Sequence, residues 1–90
     1  MAVHTGNSVQ VTVRYFAAAQ AAAGSDSRRL TVHAGTTIDE LVDTLGAGTP
    51  ELARVLSRCS FLCDGVAVRD RTQSLRPGST IDVLPPFAGG

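Results

Sequence analysis

Gly35-Thr36-Thr37-Ile38-Asp39-Glu40-Leu41-Val42-Asp43-Thr44-Leu45-Gly46 is the stretch on which the fold turns. Thr37 and Glu40 stand three apart, the spacing of a capping box, in which a threonine hydroxyl and a glutamate carboxylate satisfy each other's backbone N–H groups. Ile38, Leu41, Val42 and Leu45 follow at i, i+3, i+4 and i+7. That spacing gives a helix one apolar stripe and a layer to rest on. Asp39, Glu40 and Asp43 fall on the solvent side, the first two where the positive end of the helix dipole favours them. Gly46 and Gly48 are expected to close the helix.

Upstream, Val9, Val11, Val13 and Tyr15 alternate with Gln10, Thr12 and Arg14, the period of a half-buried strand. Phe16 then falls on the polar side of that alternation. The run from Ala17 to Ala23 suits a short helical turn closed by Gly24. Arg29-Leu30-Thr31-Val32-His33 alternates again, Leu30 and Val32 inward, so these two strands are expected to pair as a hairpin with a tight connection.

Downstream, Thr49-Pro50 offers an N-cap and a first-turn proline for a shorter helix with Leu52, Val55 and Leu56 inward. Phe61-Leu62-Cys63 reads as a short strand, Asp64-Gly65 as a turn, and Val66-Ala67-Val68 as another short strand. Leu75-Arg76-Pro77-Gly78 is turn chemistry before a last strand, in which Ile81 and Val83 face inward while Asp82 and Leu84 face outward. Pro85-Pro86 ends it, since neither can donate a ladder hydrogen bond. The reading is an α+β roll: a mixed sheet of four to five strands covered by one main helix plus a short second helix. Residues 1–7 are expected to form a flexible extension, 8–86 one domain, and 87–90 a flexible tail.

Ninety residues hold one core. Such a chain buries roughly 60–68% of its unfolded surface, enough to fold without metal or disulfide. The formal net charge is zero, so no global field draws the protein to nucleic acid or to an anionic membrane. No leader-like apolar segment follows Met1, nothing approaches the roughly 20 apolar residues of a membrane span, and a cytoplasmic location is expected. All eight basic residues are arginine. Without lysine, the α-amino group is the only amine, and self-linkage through a side chain is excluded.

The sequence runs out in Pro85-Pro86-Phe87-Ala88-Gly89-Gly90. A Gly-Gly pair arises by chance about once in 200 positions. Glycines cost backbone entropy at a free end and are useful where a chain must thread a slot too narrow for a Cβ. Four residues beyond Pro86 reach about 13–14 Å when extended, enough to enter a partner's pocket.

With these residues the chain resembles the molybdopterin synthase small subunits (MoaD) within the MoaD/ThiS family of ubiquitin-like sulfur carriers. The resemblance rests on Val11-Thr12-Val13-Arg14-Tyr15-Phe16-Ala17, Gly24, Gly35 to Leu41, Asp64-Gly65, Leu75 to Ser79, and Leu84 to Gly90. Asp64 stands where the family often has Asn, and Ser79 where it often has Asp; both are turn positions that tolerate the exchange. The double proline favours the molybdopterin branch over the thiazole-forming one.

The resemblance implies a β-grasp roll with its first and last strands parallel. It implies that an E1-like adenylyltransferase spends ATP to activate the Gly90 carboxylate, and that a sulfurtransferase converts it to a thiocarboxylate. Gly89 and Gly90 would thread into a large synthase subunit, in a heterotetramer of two small and two large chains. Sulfur would pass there to a pterin precursor. The chain would bind no cofactor itself and act as co-substrate more than catalyst. Phe16 and Leu84 would form an apolar patch beside the tail and, with Pro85, Pro86, Phe87 and Ala88, contact the partner. Arg14 and Arg69 are candidates for charged contacts around that patch.

Thiazole or cysteine synthesis, or modification of other proteins, would use the same tail chemistry. A non-covalent ubiquitin-fold adaptor would not need it. Cys59 and Cys63 lack further ligands for zinc and have no redox spacing, so buried structural thiols are expected and no metal site. His33 reads as a solvated edge residue, and Arg28-Arg29 is too short a run for a nucleic-acid patch.

Overall fold

In the computed structural model, which describes residues 7–86, the chain folds as a five-stranded mixed sheet with three helices. The elements are β1 (Ser8–Tyr15), α1 (Ala17–Ala23), β2 (Ser27–His33), α2 (Ile38–Gly46), α3 (Pro50–Leu56), β3 (Ser60–Cys63), β4 (Val66–Ala67) and β5 (Thr80–Leu84). The sheet order is β2-β1-β5-β3-β4. β1 runs antiparallel to β2 and parallel to β5, and β3 runs antiparallel to β5 and β4. The last strand is therefore the central one, between β1 and β3.

The alternation in β1 holds residue by residue: Val9, Val11, Val13 and Tyr15 are buried. In register, Val13 lies opposite Ile81 and Tyr15 opposite Val83, while Phe61 of β3 faces Val83 from the other side. These side chains share one core with Ile38, Leu41, Val42 and Leu45 of α2 and with Leu52 and Leu56 of α3. Each fully buried aliphatic side chain contributes about 1.5–3 kcal/mol relative to exposure. Leu30 and Val32 of β2 are half-buried against the same core. Burial on the phenolic ring raises the pKa of Tyr15 above its ordinary value.

The capping box is complete. The Glu40 N–H donates to Thr37 Oγ1 at 3.1 Å, and the Thr37 N–H donates to Glu40 Oε1 at 2.9 Å. Gly24 caps α1 at φ +80°, a left-handed conformation that glycine takes without a Cβ penalty. Asp64 and Gly65 both have positive φ, as a type I′ turn between β3 and β4 requires.

Three local expectations change. β1 and β2 pair antiparallel, but residues 16–26 between them contain a whole helix instead of a tight turn. Thr49 sits at the N-cap of α3 without a side-chain capping bond. Gly46 is the last residue of α2 and Gly48 follows at φ +78°, so the helix closes where expected; Gly46 also permits close approach, since a Cβ there would stand 2.9 Å from Ala53 Cβ on α3. Cys59 and Cys63 are free and half-buried, not fully buried. The Cys59 thiol donates to the Val55 carbonyl at 3.2 Å, and burial pushes its pKa up. Among the described residues, no helix is long and apolar enough to cross a membrane.

Candidate functional site

The site is built where β5 ends and α1 begins. The Phe16 N–H donates to the Val83 carbonyl at 3.2 Å, which ties the end of β1 to the end of β5 one step past the parallel register. Ala17 then takes φ +51°. A left-handed alanine costs about 1–2 kcal/mol, and this sharp step swings the chain into α1 while Phe16 stays on the outer face. Ala19 is buried and anchors α1. Phe16 is 38% exposed, so α1 does not cover it. Leu84 and Pro85 are half-buried and Pro86 is exposed. Phe16 and Leu84 each follow by one residue the last register pair of the parallel strands, Tyr15 and Val83, at the root of the tail. Phe87, Ala88, Gly89 and Gly90 lie outside the described residues.

Two residues earlier on the same strands lies a pair that sequence reasoning did not assemble. Arg14 Nε donates to Asp82 Oδ1 at 2.7 Å and Nη2 to Oδ2 at 3.0 Å, a two-pronged bond. Asp82 faces outward as expected, yet its side chain is only 8% exposed while that of Arg14 is 53% exposed. β5 is the central strand, so Asp82 is flanked by Arg14 on β1 and Leu62 on β3. The bond to Asp82, and then its charge, raise the Arg14 pKa above its already high ordinary value. The same guanidinium lies 5.6 Å from the centre of the Phe16 ring, within cation–π range. The signal was present in the sequence: Arg14 and Asp82 stand at equal offsets before Phe16 and Leu84 on strands that run parallel. Arg69 joins neither group. It follows β4, two strands from β5, and makes no ion pair among the described residues.

On the opposite side of the tail root, Ala18, Arg54, Val55, Arg58, Pro85 and Pro86 line a cleft of about 200 Å³. His33 is exposed on the edge strand β2, and Asp39, Glu40 and Asp43 are exposed on α2. Among the described residues, no three His, Cys, Asp or Glu side chains gather as metal ligands would. What the arrangement offers chemically is a handle: an apolar patch, a neutralised ion pair and a proline-stiffened exit at one end of the central strand.

Known proteins resemble this chain in sequence and fold. The model of the ThiS family matches residues 13–90. The molybdopterin synthase sulfur carrier subunit of Chlamydomonas reinhardtii is 28% identical over 83 residues, covering 91% of this chain and all of that protein. The solution structure of the Haloferax volcanii HVO 2177 protein superposes with a TM-score of 0.81 at 26% identity, covering 93% of this chain and 89% of the other. SAMP1 of Haloferax volcanii superposes with a TM-score of 0.78 at 25% identity, over 90% and 99% of the two chains.

Proposed function

The chain belongs to the ThiS family, and from that premise we propose that it is a sulfur carrier whose working group is the carboxyl group of Gly90. The observation that carries this reading is that the family match continues past β5 and Pro85-Pro86 through Gly89 to Gly90. The β-grasp domain is then the handle by which partners recognise the molecule, and the tail is what they act upon.

A terminal carboxylate is ionised at neutral pH, with a reference pKa of about 3.5, and is a poor electrophile. An E1-like partner removes that obstacle. A Gly90 carboxylate oxygen attacks the α-phosphorus of ATP and pyrophosphate leaves, giving an acyl adenylate. A sulfur nucleophile supplied by a sulfurtransferase displaces AMP, which departs with one carboxylate oxygen. The Gly90 thiocarboxylate that results is a soft nucleophile held on a thin arm. In the molybdopterin reading, the arm enters a large synthase subunit and delivers sulfur to a pterin precursor, in a cytoplasmic assembly of two small and two large chains. The likeness to a molybdopterin synthase sulfur carrier subunit and the Pro85-Pro86 exit support this acceptor. Phe16 and Leu84, with Pro85, Pro86, Phe87 and Ala88, form the contact surface, and Gly89 and Gly90 fill the narrow passage.

Intact mass of the protein expressed with an activating enzyme tests the chemistry. Exchange of one oxygen for sulfur adds about 16 Da at the C-terminal residue, and a residue appended after Gly90 abolishes the gain. No gain with any activating enzyme refutes the carrier reading. Phe16→Asp tests the surface: association with a large subunit is lost while the melting temperature stays within a few degrees of wild type. A second reading, attachment to other proteins, is favoured by the likeness to SAMP1. Bands of the chain linked to other proteins' lysines on denaturing gels would establish it in place of the synthase role.

A further inference from the structure

The cleft at the tail root carries two cations that no ion pair among the described residues uses. Arg54 lies in the last turn of α3, and Arg58 follows one turn later, its N–H donating to the Val55 carbonyl at 3.0 Å. Residues four apart on a helical path share a face, and like charges there weaken the helix slightly. Both side chains are exposed, and among the described residues neither is ion-paired. Glu51, in the first turn of the same helix, pairs with neither. Arg54, in the last turn of α3, is favoured by the helix dipole, but no ion pair among the described residues occupies either guanidinium.

Their setting is specific. The two guanidiniums share the cleft of about 200 Å³ with Ala18, Val55, Pro85 and Pro86, so its floor is apolar and its charged groups are both positive. Pro85 and Pro86 line the cleft and lead directly into the tail, so the cleft lies at the base of the tail. A partner that takes up the tail must pass close to it. Protein interfaces are built this way, with an apolar centre and a charged rim. Guanidinium forks match carboxylates in two-pronged geometry. The chain has zero formal net charge, so this is local complementarity and not the spill-over of a basic protein.

From this we infer that Arg54 and Arg58 are a docking and specificity element for an acidic protein segment, presented by the partner that takes up the tail. The inference rests on the carrier reading above, since that reading supplies the partner. The occupant is a stretch of Asp or Glu side chains beside the partner's tail channel. Its carboxylates meet the two guanidiniums while its apolar atoms cover Pro85 and Val55.

The test uses the full chain and two purified proteins from the same genome, the large synthase subunit and the adenylating enzyme. Affinities of wild type, Arg54→Gln/Arg58→Gln and Arg54→Lys/Arg58→Lys are measured at low and high salt. Removing two interfacial charges is expected to weaken binding to at least one partner by about 10- to 100-fold and to flatten its salt dependence. The lysine variant keeps the salt dependence. Melting temperatures equal to wild type confirm that both variants are folded. Unchanged affinity and salt dependence for the glutamine variant with both partners overturns the inference while leaving the carrier reading standing. Wild type that binds neither partner, with no thiocarboxylate formed, overturns both. Tight, saturable binding of inorganic phosphate at Arg54 and Arg58 in the free chain, seen by nuclear magnetic resonance, would make this a small-anion site and also overturns the assignment.

Discussion

Replacement of Gly46 by alanine probes the joint between the two helices that support the tail root. A Cβ built at Gly46 stands 2.9 Å from Ala53 Cβ and 3.0 Å from Ala53 Cα. Carbon atoms in ordinary contact lie about 3.5–4.0 Å apart, so α2 and α3 must separate by several tenths of an ångström or more. The obstacle is backbone and a Cβ, neither of which can rotate away. Overpacking of this kind costs about 1–3 kcal/mol. Alanine is also a better helix former than glycine by about 0.8–1.0 kcal/mol, which offsets part of that cost. The net expectation is a loss of up to about 2 kcal/mol, or up to roughly 15 °C in melting temperature for a domain of this size. Urea and thermal unfolding followed by circular dichroism measure it. Adding Ala53→Gly removes the Cβ that Gly46→Ala meets, and the double mutant is expected to recover part of the loss beyond additivity. Gly46→Ala more stable than wild type, or a double mutant showing no coupling, refutes the close-approach argument.

Thr37→Ala removes the hydroxyl that accepts the Glu40 N–H. It is expected to cost about 0.5–2 kcal/mol in the same unfolding assays, and Thr37→Ser is expected to restore most of it. Burial raises the Cys59 pKa, so alkylation by iodoacetamide, followed by peptide mass mapping, rises at higher pH in the native protein than in urea. The sign follows from linkage: the folded state holds this proton more tightly. Its contribution to stability is therefore complete below the unfolded thiol's pKa and is lost as pH rises from there through the native value. Coincident native and unfolded profiles would contradict it.

What the sequence determined by itself is what depends on near neighbours. The capping box at Thr37 and Glu40, the apolar stripe of α2, the alternation in β1, the left-handed cap at Gly24 and the Asp64-Gly65 turn each involve residues a few positions apart, and all are present in the structure. The family pattern was legible for the same reason, because its distinctive ending is contiguous. Tertiary structure alone decided the rest. Asp82 is buried because it lies in the central strand and because Arg14, 68 positions away, reaches across to it. That Gly46, besides ending α2, must also lack a Cβ was hidden because its partner, Ala53, belongs to a different helix. Arg54 and Arg58 acquire meaning only where folding brings Pro85 and Pro86 against them. Local propensity carries no information about which surfaces meet; strand register and helix packing do, and those emerge only when the whole core closes.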